Sequence, residues 1–290
     1  MRFVRHGRYG AEQPAVLDPD GRVRDLSWLT ADINGAFLAD AHRVGAAAAA
    51  LADHRLDVIA ESLSDLDRVG PPIAPPGKVI GIGLNYRDHA AQVGAQVPSE
   101  PIIFLKASTT IVGPYDDIVL PDLSEHTDWE VELGLVVGQR LSGRVSAEAA
   151  LAAVAGYVGA NDVTERADAS SGPTWAKGKC YDTFCPLGPW LATPDEIPDP
   201  HELSLSLSVN GVERQVGTTS QMVFRVTDIL VHLASHMTLE PGDLILTGTP
   251  SGVAAAHPDP KPFLRAGDVI ELAVERLGSQ RCTVATGSAT

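Results

Sequence analysis

Thr127-Asp128-Trp129-Glu130-Val131-Glu132-Leu133-Gly134-Leu135-Val136-Val137-Gly138 is the stretch on which the fold assignment turns. In an extended strand side chains alternate, so Asp128, Glu130 and Glu132 share one face while Trp129, Val131, Leu133 and Leu135 share the other. The pattern leaves two readings open. One is an antiparallel strand with a solvated acidic face. The other starts from the apolar run Gly134 to Gly138, which is typical of a core strand. Carboxylates leading into a core repel one another and lose hydration unless a cation compensates them. Short carboxylates with no paired His or Cys nearby form an all-oxygen set that selects Mg²⁺, Mn²⁺ or Ca²⁺ over zinc.

Outward from this strand the text is mostly β. Short strands are expected at residues 2–5, 15–17, 23–26, 79–84, 102–106, 118–121 and 203–209, with Asn210-Gly211 as a hairpin turn. Two similar phrases, Pro241-Gly242-Asp243-Leu244-Ile245-Leu246 and Ala266-Gly267-Asp268-Val269-Ile270-Glu271-Leu272, each read as a turn feeding a strand. Helices are expected in the alanine-rich residues 32–56 and 146–158, at 85–92 and at 221–236. Four prolines crowd residues 71–76, which rules out regular structure there and places a domain boundary. A small N-terminal α/β accessory domain (1–70) is therefore expected before a larger domain (71–290). The elements do not repeat as βαβ units, so the class is mainly β (α+β) and not a doubly wound nucleotide-binding sheet. Gly81-Ile82-Gly83 comes nearest to a dinucleotide fingerprint, and Tyr86 occupies its third glycine position.

Twenty-two Lys plus Arg against 37 Asp plus Glu give a net charge of −15 over 290 residues. Without a basic patch, nucleic-acid and anionic-membrane partners are disfavoured. Three cysteines, Cys180, Cys185 and Cys282, form neither a disulfide framework nor a zinc pattern. With no apolar run long enough to span a bilayer and no signal-type h-region, an untargeted cytoplasmic protein is expected.

Asp162, at the end of an apolar stretch, is a third carboxylate of interest; alone it reads more readily as a turn or cap residue than as a ligand. Arg166, Lys177 and Lys179 follow it within 17 positions. A cation beside fixed positive side chains suits a small anionic chelate. His89 lies three residues before Gln92, on one face of a short helix. The Thr247-Gly248-Thr249-Pro250 turn offers backbone N–H groups and the Thr249 hydroxyl to ligand oxygens.

Taken together, Gly81-Ile82-Gly83-Leu84-Asn85-Tyr86 with His89, Phe104-Leu105-Lys106, the Asp128–Gly134 stretch, Asn161-Asp162-Val163, Gly178-Lys179 with Asp182-Thr183-Phe184, and Thr247-Gly248-Thr249-Pro250-x-Gly252-Val253 resemble the fumarylacetoacetate hydrolase family in order and approximate spacing. The likeness covers about residues 70–285. The N-terminal segment is similar to the accessory domain of a branch that includes 2,4-diketo-3-deoxy-sugar-acid hydrolases and members labelled ureidoglycolate lyase. The resemblance implies a mixed β-sandwich roll, usually homodimeric, holding one Mg²⁺ or Mn²⁺. It places the metal ligands on Glu130, Glu132 and Asp162, the conserved lysine on Lys179, the lid histidine on His89 and the substrate-contacting threonine on Thr249. Tyr86, Lys106, Arg166 and Gly248 complete the candidate substrate contacts.

The reaction implied is cleavage of the C3–C4 bond of an acylpyruvate or other 2,4-dioxo acid through a metal-bound enolate. Family hydrolases carry a Glu three residues after the lid His, and this chain carries Gln92, which cannot act as a base. Ala169 and Ala254 replace a frequent Gln and the usual Gly. A decarboxylase or keto–enol isomerase of a 2-oxo acid needs the enolate without an attacking water and is the alternative, followed by a non-catalytic small-ligand-binding homologue.

Overall fold

The structure, a computed structural model, describes residues 1–122 and 124–287. Ten strands form one long sheet, ordered Val58–Ala60, Val23–Asp25, Gln13–Leu17, Arg2–His6, Leu191–Ala192, Val154–Asn161, Val131–Val137, Leu244–Leu246, Val79–Gly83 and Ile102–Lys106. A second sheet of five strands runs Val212–Thr218, Ser204–Val209, Val269–Val274, Ser279–Thr286 and Ile118–Leu120. Pairing is antiparallel except where Leu244–Leu246 meets Val79–Gly83, Ser279–Thr286 meets Ile118–Leu120, and Cys185–Pro186 meets Ile111–Val112. No helix is long and apolar enough to cross a membrane among the described residues.

Val131–Val137 sits at the centre and is buried along its whole length. Its odd-numbered residues, Val131, Leu133 and Leu135, join Trp129 in the core shared with Leu205, Leu207, Ile270 and Leu272 of the five-stranded sheet. Val136, on the other face, packs with Phe3, Phe37, Ala47 and Leu244 under the N-terminal helices Gly35–Leu38 and Ala41–Ala52. A strand covered on both faces has no solvated side, so the reading of a water-exposed acidic face is not met. Arg2 pairs with Ala192 and Phe3 with Leu191, so the N-terminal strands continue the same sheet, and the proline-rich residues 70–78 carry no regular element.

The expected helix at 146–158 is the largest difference. Helix Ala147–Ala152, capped by Ser146 accepting from the Ala149 N–H, ends early, and Val154–Asn161 is a strand. Its pairing with Val131–Val137 on one side and Leu191–Ala192 on the other outweighs the alanine-rich propensity. The helix expected at 221–236 begins only at Val226, and residues 32–56 hold two helices with separate caps at Asn34 and Asp40. The Asn210-Gly211 hairpin is present, with both residues at positive φ (53° and 74°), as a two-residue turn of this kind requires.

Candidate active site

The acidic cluster is built where two strands end. Glu130 occupies the gap between Thr127–Asp128 and Val131–Val137. Its N–H donates to Asn161 Oδ1 (2.9 Å), and its carbonyl accepts from the Asp162 N–H (2.8 Å), which locks Glu130 and Asp162 in register. Oxygens of Glu130, Glu132 and Asp162 lie within 4.8 Å of one another, and all three residues are buried. Asp128 does not join them. The extended pairing breaks after it, and its carboxylate accepts from the Ala254 and Ala255 N–H groups (2.7 and 2.9 Å) and from Arg166 Nε (2.8 Å).

Three cations surround the cluster. Lys179 Nζ donates to Glu130 Oε2 (2.7 Å) and to Asp162 Oδ2, Lys106 Nζ lies 2.6 Å from Asp162 Oδ1, and Arg166 Nη2 donates to Glu130 Oε1 (2.6 Å). Glu132 receives one N–H, from Gly248 (2.7 Å). The two glutamates therefore diverge. Burial pushes Glu130 up, but Lys179 and Arg166 outweigh it and hold the carboxyl at about 2. Burial, then the charges of Asp162 and Glu130, push Glu132 well above its ordinary value. Lys179 stays an ammonium, because Asp162 and Glu130 outweigh its burial.

With all groups ionised, four carboxylates (Asp128, Glu130, Glu132, Asp162) against three cations leave one negative charge. A divalent ion fits that deficit: three hard oxygen donors converge, and burial with the charges of Asp162 and Glu130 disfavours the ionised form of Glu132, which added positive charge would favour. With the dication and an ionised Glu132 the site carries one positive charge, suited to a small anion. A bound dication favours the ionised form of Glu132, so Mn²⁺ affinity is expected to rise with pH, with a proton released as the ion binds. Calorimetry in buffers of different ionisation enthalpy reads that proton; an affinity independent of pH would contradict this assignment.

The turn after Leu244–Leu246 supplies the opposite wall. Gly248 has φ +97°, and a Cβ there would lie 2.9 Å from Asn85 Cβ, so only glycine aims this N–H at Glu132. Thr249 donates its hydroxyl to the Val131 carbonyl (2.9 Å) and accepts from Gln215 Nε2 (2.8 Å). Gln215, which sequence reasoning missed, also accepts from the Val131 N–H (2.9 Å) and donates to the Pro250 carbonyl (2.9 Å). Its signal was an amide at an inward position of the strand Val212–Thr218. Asn85, likewise missed as an anchor, is fully buried and ties the Thr247 and Phe224 carbonyls to the start of the short helix. Gln215→Leu leaves the buried Val131 N–H unpaired, a cost of about 1–3 kcal/mol. A fall in Tm of roughly 2–10 °C by scanning calorimetry is expected; an unchanged Tm would show that the amide holds nothing.

Helix Arg87–Gln92 closes the cavity. The His89 side chain faces it, with Nδ1 buried and without a partner among the described residues. Burial pushes this imidazole below its ordinary value, so it is neutral near pH 7. Gln92 does not pair with it: its Oε1 accepts from the Gly252 N–H (2.9 Å), and Asp88 Oδ2 accepts from the Ser251 N–H and hydroxyl (3.2 and 3.0 Å). Gln92, a candidate for a part in the chemistry because it stands where family hydrolases carry Glu, instead ties the helix to the turn through its carboxamide. The cavity, about 220 Å³, is lined on its polar side by His89, Glu130, Glu132, Arg166, Lys179 and Thr249, with Gly248 beside them. Lys106 and Tyr86, expected to touch substrate, lie behind that wall. The Lys106 ammonium is spent on Asp162 and the Val163 carbonyl (3.2 Å), and Tyr86 is fully buried. Lys177 is exposed and pairs with Asp168 (2.8 Å), outside the cluster.

A family model described as fumarylacetoacetate (FAA) hydrolase C-terminal matches residues 78–285. The chain is 44% identical over 282 residues to the 2,4-didehydro-3-deoxy-L-rhamnonate hydrolase of Sphingomonas sp. (strain SKA58), covering 97% of this chain and 95% of that protein. It superposes on fumarylacetoacetate hydrolase from the psychrophilic Exiguobacterium antarcticum with a TM-score of 0.82 at 32% identity, over 99% of this chain and 100% of the other. Maleylpyruvate hydrolase from Sphingobium sp. SYK-6, solved with manganese(II) and pyruvate, gives a TM-score of 0.80 at 29% identity, with the same coverage.

Proposed function

The chain belongs to the fumarylacetoacetate hydrolase family and is an enzyme of it, and on that premise we propose that it hydrolyses the C3–C4 bond of an acylpyruvate or 2,4-dioxo acid with Mg²⁺ or Mn²⁺ held by Glu130, Glu132 and Asp162. The non-catalytic reading falls away with the premise. The observation that carries the proposal is the convergence of three buried carboxylates, two of them bridged by the Lys179 ammonium, with Glu130, Glu132 and Lys179 lining one cavity. Bound there, the ion would polarise the substrate's carboxylate and 2-oxo oxygens. Lys179 places fixed positive charge where the enolate develops, and Arg166 faces the substrate carboxylate. Neutral His89, with Nδ1 free, takes the proton of a water that adds to C4. Breakage of C3–C4 then sends the electron pair to C3, which is protonated to give pyruvate or its analogue, and C4 leaves as a carboxylic acid. The name of the Sphingomonas relative makes a 2,4-dioxo sugar acid the first substrate to try. A homodimer in the cytoplasm completes the proposal.

The Gln92 bond to Gly252 supports a second reading, decarboxylation or keto–enol isomerisation, because among the described residues no carboxylate is hydrogen-bonded to the His89 ring to assist it in activating water. The assay separates the two. With Mn²⁺ present, 2,4-dioxopentanoate and a 2,4-dioxo sugar acid should lose their diketone ultraviolet band as pyruvate appears, and a chelator should stop both. If the diketones persist while oxaloacetate loses CO₂ or a hydroxymuconate isomerises, the second reading replaces the first.

A further inference from the structure

The Gly81-Ile82-Gly83 motif plays no part in the chemistry above, yet an aromatic ring packs on each of its glycines. A Cβ at Gly81 would lie 2.0 Å from Phe104 Cζ, and a Cβ at Gly83 would lie 2.2 Å from Trp175 Cζ3. Residues 81 and 83 point to one face of their strand, so the two glycines are adjoining seats for two rings. Phe104 arrives from the paired strand, directly opposite Gly81. Trp175 comes from the segment before helix Ala176–Lys179. The rings meet edge to face with centroids 5.7 Å apart.

Both rings line the catalytic cavity, as do Val93 and Val253. Phe104 also touches the charged cluster, for Lys179 Nζ stands 4.9 Å from its ring centroid. The cavity lining thus combines an ionic group of side chains with an adjoining pair of aromatic rings. We infer that Phe104 and Trp175, seated on Gly81 and Gly83, are the specificity-determining wall, and that they select 2-oxo acids whose tail is apolar or planar against those carrying a second carboxylate. This rests on the proposed placement of the acid head at the carboxylate cluster. A charged tail on the aromatic wall would lose its hydration without gaining a partner. The competing placement is the open hollow of about 580 Å³ beyond Arg166, where Lys261 and Arg265 would receive an anionic tail.

Binding of simple 2-oxo acids to the Mn²⁺-loaded protein tests the wall without requiring turnover. From pyruvate through 2-oxobutyrate to 2-oxohexanoate, calorimetric affinity should rise about two- to fourfold per methylene. Phenylpyruvate should bind well, and 2-oxoglutarate about tenfold or more weaker than 2-oxohexanoate. Trp175→Ala should flatten the methylene series while pyruvate shifts less than about threefold, and Trp175→Phe should restore part of the slope. The ligand-induced change in tryptophan emission should vanish in both variants, and their Tm reports whether each is folded. Equal or tighter binding of 2-oxoglutarate, or a folded Trp175→Ala protein that keeps the slope, overturns the inference. If the slope appears but no diketone is cleaved, the wall stands and the hydrolase proposal fails. If even pyruvate does not bind the loaded protein, the placement of the acid head fails, and the wall assignment with it.

Discussion

Glu132→Gln is expected to weaken divalent-metal binding by about 100-fold or more while leaving the metal-free protein as stable as the parent. The reason lies in the protonation state. Burial and the charges of Asp162 and Glu130 favour the protonated form of the Glu132 carboxyl without metal, so a neutral carboxamide of the same shape is expected to change little. The amide oxygen still accepts the Gly248 N–H that Glu132 accepts at 2.7 Å. What disappears is the ability to shed a proton and become an anionic ligand. In thermal unfolding the metal-free variant should melt within about 2 °C of the parent, and saturating Mn²⁺, which should raise the parent's Tm, should leave the variant's unmoved. Diketone cleavage should be lost in parallel. A full metal-induced shift in the variant would remove Glu132 from the ligand set.

Lys179→Met is expected to separate stability, metal binding and turnover. The ammonium bridges Glu130 and Asp162, and its loss leaves those buried carboxylates one partner short, an effect of about 3–5 kcal/mol on the metal-free protein. Lys106 and Arg166 remain in place. A divalent ion then meets a more negative site, so Mn²⁺ should bind at least as tightly and should recover more Tm than in the parent. Turnover should nevertheless fall about 100- to 1000-fold, because the charge facing the developing enolate is gone. Parallel loss of metal affinity and activity would mean that Lys179 serves to organise the ligands and not to stabilise charge in the reaction.

The reach of the sequence can be judged from individual residues. Alternation placed Trp129, Val131, Leu133 and Leu135 on one core face, as found, because period and burial are local properties of a strand. The same alternation grouped Asp128 with the glutamates; Arg166 does bridge Asp128 and Glu130, but the oxygens that converge are those of Glu130, Glu132 and Asp162. The Asp128 carboxylate is instead taken up by the Ala254 and Ala255 N–H groups, well over a hundred positions away. Glu130, Glu132, Asp162 and Lys179 were legible as a motif set, and the structure brings all four together. Gln215 and Asn85 were not legible, since a buried amide in a sequence does not reveal which distant backbone groups it serves. Gln92 was read by its neighbour His89, whereas its partner is Gly252. Residues 146–158 read as helix because alanine carries a local propensity, while the pairing of Val154–Asn161 on both sides is long-range.

A protein with a net charge of −15 has little reason to collect small dianions unless a cation is built into the receiving site. Calorimetric titration of oxalate into the protein, once loaded with Mn²⁺ and once stripped with a chelator, tests that claim most directly. Oxalate is expected to bind stoichiometrically to the loaded protein and not measurably to the stripped one. Equal binding after chelation would assign the anion site to Lys179 and Arg166 alone and contradict a receptor built on a metal.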